Sequence, residues 1–87
     1  MGTESILLVE DRLHVREAVA RPYVEAGARV QALATCAEAI DFLALWRPDW
    51  ILVGEKQVDE LLVWLRDHQN RVDVPVVLLP DLSTPGR

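Results

Sequence analysis

Three short, uninterrupted apolar runs constrain this chain more than any other feature: Ile6-Leu7-Leu8-Val9, Trp50-Ile51-Leu52-Val53 and Val76-Val77-Leu78-Leu79. Runs of this length without polar alternation are what strands need when a parallel sheet is covered on both faces. The segments between them change period. Residues 12 to 26 carry Val15, Ala18, Val19, Pro22 and Ala26 at intervals of three and four, the spacing of a helix. Gly27 follows at the position of a left-handed cap, and Pro22, which lacks a backbone donor, is expected to kink the last turns.

Arg29 to Ala34 alternates weakly and reads as a short second strand. Thr35-Cys36-Ala37-Glu38 matches a capping box, in which two side chains satisfy each other's exposed amides. The helix it opens turns Ala39, Ile40 and Leu43 inward, reaches about Trp46 and is stopped by Pro48. After the third strand, Gly54-Glu55-Lys56-Gln57 reads as a loop leading to a helix with Val58, Leu61, Leu62 and Leu65 on one face. Asn70 to Asp73 reads as a turn and Val74 to Leu79 as a fourth strand. The order βαβαβαβ implies an α/β fold with an open parallel sheet and right-handed crossovers. One domain is expected over residues 1 to 81, with 82 to 87 as a tail or linker.

Composition narrows the possible functions. With 87 residues there is room for one small domain, and 51% hydrophobic residues are ample for a core. The net charge of -5 argues against direct nucleic-acid binding. Cys36 is the single cysteine, so it forms no internal disulfide and is expected to be a small buried hydrophobe. Neither a metal-ligating Cys/His spacing nor an apolar run of membrane-spanning length is present, which points to a cytoplasmic-type chain without a cofactor or a membrane contact.

The quoted runs, together with the acidic pair Glu10-Asp11 after the first strand and the Pro48-Asp49 entry to the third, resemble the receiver domain of bacterial two-component response regulators. That CheY-like, flavodoxin-like resemblance covers roughly residues 5 to 80, and it implies a three-layer sandwich lacking the last helix-strand-helix. In the family, the acidic pair and an aspartate after the third strand hold Mg²⁺, and the aspartate accepts a phosphoryl group. A Thr or Ser after the fourth strand and a Lys after the fifth then sense the phosphate. Carried over, the acidic pair is Glu10 and Asp11, the acceptor position is Gly54 and the hydroxyl position is Pro80. Glycine cannot accept a phosphoryl group and proline has no hydroxyl. The resemblance therefore implies a vestigial acidic pocket with no catalytic residue and no bound metal, and Glu10-Asp11 is expected to be a solvated strand-end pair.

The remaining residues sort by pattern. His14 and His68 lack partners of recognisable geometry and are expected at the surface, His68 near a helix end. Trp50 is expected in the core, and Trp46 over the entry to the third strand. Trp64 and Val63 lie off the Val58/Leu61/Leu62/Leu65 stripe, which leaves an apolar flank suited to an interface. If the resemblance holds, Val76, Val77, Leu78 and Leu79 form an exposed sheet edge, a liability that proteins normally cover. Leaving a few hundred Å² of apolar surface open forfeits on the order of 5–10 kcal/mol. These features lead to the expectation of a non-enzymatic, non-phosphorylated pseudo-receiver in a signalling or transcription system, acting through protein contact, with a homodimer preferred. The alternatives are a small-ligand sensor in the crevice at the strand ends, or a receiver whose acceptor has moved to Asp49 or Asp59.

Overall fold

A computed structural model describes residues 4–68 and 74–79. Four strands and three helices alternate through them: β1 (Ser5–Val9), α1 (Leu13–Glu25), β2 (Arg29–Leu33), α2 (Cys36–Leu43), β3 (Trp50–Val53), α3 (Glu55–Asp67) and β4 (Val76–Leu78). All strands are parallel, in the order β2-β1-β3-β4. The α/β open parallel sheet implied by the apolar runs is the fold observed, and its form is compatible with a flavodoxin-like sandwich. The proposed turn at 70–73, Pro80 and the proposed tail lie outside the described residues.

Strand alternation splits the core in two. Leu7, Val9, Ile51 and Val53 face α2 and α3, where they pack with Cys36, Ala39, Leu43 and Leu61. Ile6, Leu8, Leu52 and Leu79 face the other way, toward Val19 and Ala20 of α1 and Val30 of β2. The local signals at the helix ends behave as their chemistry requires. Thr35 Oγ1 accepts from the Glu38 amide at 3.2 Å, and the Glu38 carboxylate accepts from the Thr35 amide at 3.3 Å, completing the capping box. Gly27 takes φ +96°, a conformation that a side chain would strain. Cys36 is buried, and burial, followed by the charge of Glu60, raises its thiol pKa.

Several expectations are corrected. Residues 54–57 are not a loop: Gly54 is itself the N-cap and α3 begins at Glu55, directly after β3. Helix α2 ends at Leu43 rather than near Trp46, although Trp46 still packs edge-on against Phe42 at a centroid distance of 4.5 Å. Ala18, Pro22 and Ala26 are exposed, so α1 buries a narrower stripe centred on Val15. Trp50 is 39% exposed and is not a core residue, because α1 packs over β1 and β2 and leaves its end of β3 open. Leu62 is exposed too, since α3 turns Leu61, not Leu62, onto the sheet.

The two edges of the sheet differ. At β2, Arg29 and Gln31 are exposed, so that edge carries polar side chains. At β4, all three strand residues are apolar. Replacing Thr35 with alanine should remove the reciprocal cap and cost about 1 kcal/mol, read as a lower urea midpoint at unchanged slope.

Candidate functional site

The carboxyl ends of β1 and β3 lie side by side, with Val9 in register with Val53. The residues that follow these two, Glu10 and Gly54, therefore meet at the end of the sheet, where open α/β folds place their chemistry. The Gly54 amide donates to Val9 O at 2.8 Å, and the Glu10 amide donates to Leu33 O at 2.9 Å. Each residue is thus fixed by the ladder of a neighbouring strand.

Glu10 is not solvated. It is 1% exposed, and its carboxylate is held from several directions by Arg12. The Arg12 amide donates to Oε2 at 2.8 Å, its Nε donates to the same oxygen at 2.9 Å, and its Nη2 reaches Oε1 at 3.3 Å. Arg16 adds a bond from Nη1 to the Glu10 carbonyl at 2.8 Å. Burial is the largest single influence on the Glu10 carboxyl and pushes its pKa up. The side-chain and backbone hydrogen bonds from Arg12, then a side-chain hydrogen bond with Asp11 and the guanidinium charge, outweigh it, so the net pKa falls below the ordinary carboxylate value. The expectation of a solvated pair thus fails for Glu10, because an arginine two residues on supplies the counter-charge. Asp11 is exposed.

The same carboxylate explains the glycine. Gly54 has φ −73°, a value open to any residue, so its identity is not a backbone requirement. A Cβ built on it would overlap Glu10 Oε1, and would stand 2.9 Å from Gln57 Oε1 and 3.2 Å from Glu10 Cδ. Position 54 is therefore occupied from outside: the Glu10 side chain fills the volume that a side chain at 54 would need. Gln57 Oε1 borders the same space, buried and without a hydrogen-bond partner among the described residues.

These residues do not fit the Mg²⁺ site that the receiver resemblance implies. Both oxygens of Glu10 are engaged by Arg12, Gly54 offers no side-chain oxygen, and Asp11 is exposed, so one carboxylate of the set faces solvent. Among the described residues, no three of His, Cys, Asp and Glu group in a way that would hold a metal ion. Asp49 lies at the opposite end of the sheet, where its Oδ2 accepts from the Ser5 amide at 2.9 Å. Asp59 and Glu55 are exposed on α3, and Glu55 is its first residue. Pro80 lies outside the described residues.

The candidate interface residues separate as well. Trp64 is half-buried, packs against the α2–α3 core and stacks on His68 at 4.2 Å between centroids. His68 caps α3, with its Nδ1 2.8 Å from Trp64 O. Val63 is exposed, as are Val77 at 40% and Leu78 at 53%. Val76 is half-buried, and Leu79, at 7% exposure, belongs to the core rather than to an exposed edge. Sequence reasoning missed Arg12 and Gln57. The signal for Arg12 was present, since a basic residue two positions after a strand-end glutamate can fold back onto it.

No family model matches the chain, and neither does any curated protein or any solved structure. No helix among the described residues is long and apolar enough to cross a membrane.

Two outcomes test this site. Gly54→Ala should destabilise the fold by about 1–3 kcal/mol through overpacking. Combining it with Glu10→Ala should show a coupling of at least about 0.5 kcal/mol in a double-mutant cycle, because the two changes share one volume. For pH, the lowered native pKa of Glu10 makes its contribution to stability full above the unfolded value, near 4.3. That contribution should be lost as pH falls through the native value. Urea midpoints should therefore drop more steeply below about pH 4.5 in the wild type than in Glu10→Gln.

Proposed function

We propose that the chain is a receiver-like module that takes up no phosphate and acts through protein–protein contact in a cytoplasmic signalling or transcription-regulating system. The family assignment rests on the quoted motifs and on the sheet order, a fold-level analogy. The inert character rests on one observation: the Glu10 carboxylate, neutralised by Arg12, fills the volume beside Gly54. An acceptor carboxylate at 54 and an inward Glu10 exclude each other. Neither Asp49, at the far end of the sheet, nor Asp59, on the exposed face of α3, offers a replacement acceptor beside Glu10.

A protein-contact role draws its support from the open half of the sheet. Trp50, Tyr23 and Val77 are partly exposed around a cleft of about 170 Å³. A cluster of aromatic and aliphatic side chains is the composition favoured at interface centres.

Incubation with acetyl phosphate and Mg²⁺, followed by intact-mass measurement, should show no added phosphoryl group. Stable incorporation that is released by acid or hydroxylamine would overturn the proposal.

A further inference from the structure

The open edge of β4 has a hydrogen-bonding parity that can be read from its bonds to β3. The Ile51 amide donates to Pro75 O at 3.0 Å, and the Leu79 amide donates to Val53 O at 2.9 Å. Residues 75, 77 and 79 thus turn their backbone groups inward to β3. Alternation along a strand then leaves the N–H and C=O groups of Val76 and Leu78 pointing outward, where no described strand pairs with them.

Proteins guard such edges with charge, or with proline in place of an outward donor. Here Val76, Val77 and Leu78 are uncharged, and the missing donor of Pro75 lies on the inner side, toward β3. The side chains are open on both faces of the sheet. Val77, on the α1 face, lies beside Trp50 in the cleft that Tyr23 also lines, and Leu78 points to the α3 face.

We infer that a second copy of this chain covers the edge, with β4 pairing antiparallel to β4 of its partner about a two-fold axis at Val77. The inference rests on the protein-contact reading above and names the partner. Three features favour a second copy. In antiparallel register about Val77, each outward-facing Val76 lies opposite the other copy's Leu78. The two such pairs form the closely bonded type and exchange four backbone hydrogen bonds. The axis itself falls on a non-bonded Val77–Val77 pair, where side chains approach most closely, so the parity of the edge is self-complementary. Every cross-strand pair is apolar and none sets like charges together. The edge is also continuous with exposed apolar side chains on both sheet faces, Leu78 on one and Val77, Trp50 and Tyr23 on the other, which a second copy on the edge would meet.

The test is the solution mass of the full chain over a concentration series, with substitutions on the axis. The wild type should sediment as a dimer at high concentration. Val77→Cys should cross-link to its own copy under mild oxidation, because a non-bonded pair sets the two Cα atoms ~4.5 Å apart, within disulfide range. Leu78→Cys, whose two copies sit out of register, should not. Val77→Lys places like charges on the axis and should raise the dissociation constant at least about tenfold with an unchanged circular dichroism spectrum. Should that variant unfold, Leu78→Lys, altered at an exposed position, must weaken the pair in its place. A monomer at all concentrations overturns the inference. So does a dimer that Val77→Cys fails to cross-link, or one that the intact lysine variants leave undisturbed. Those results leave the phosphate-inert reading standing, whereas phosphoryl uptake overturns that reading and leaves the dimer untouched.

Discussion

A parallel sheet has no side that can be left wet. Its strands are apolar on both faces, and each face must meet a helix or another chain. In this protein the requirement is met over β1 and over the α2–α3 side of β3, where Leu7, Val9, Ile51, Val53 and Leu61 are sealed from solvent. It is not met at the other end of the sheet. Trp50 and Val77, equivalent by alternation to residues that are buried elsewhere, stand partly in water because α1 lies over β1 and β2. The proposed protein-contact role and the inferred edge pairing both draw on that uneven coverage.

The strand-end pocket obeys a different constraint. A buried carboxylate is costly unless it is paired and hydrogen-bonded. Arg12 supplies both, while the glycine opposite supplies the room. Neither half is stable alone: Glu10 without Arg12 would be an uncompensated charge, and Glu10 with any larger residue at 54 would have nowhere to lie. The pair fills the space beside Gly54 at the end of the sheet where open α/β folds ordinarily place their chemistry, and it does so with a salt bridge made entirely within the chain.

The fold was legible because its determinants are local and periodic. Apolar runs, a capping box at Thr35-Glu38 and a glycine at 27 each act through a few neighbouring residues. The site was legible in position but not in state. Glu10 and Gly54 are named by the ends of their strands, yet whether a glutamate there is solvated or buried depends on where Arg12 reaches, a three-dimensional property. Trp50 was misread for a related reason. Its strand predicts burial, but exposure is set by the breadth of the helix packed across the sheet, which no spacing within the strand reveals. The first turn of α3 was hidden by Gly54, which reads as a loop residue and serves instead as an N-cap. Pro80 lies outside the described residues.

The polar edge at β2 has a consequence for how an assembly of this chain would end. A sheet with two bare edges can add copies at both and grow into a fibre, whereas a sheet guarded at one edge cannot. With Arg29 and Gln31 exposed along β2, head-to-tail stacking of sheets meets a charged and amide-bearing border. Contact through β4 then joins like to like and is exhausted in a single step. If copies pair as inferred, the asymmetry of the two borders favours a closed pair over an open filament, so a chain with an uncovered strand would remain discrete.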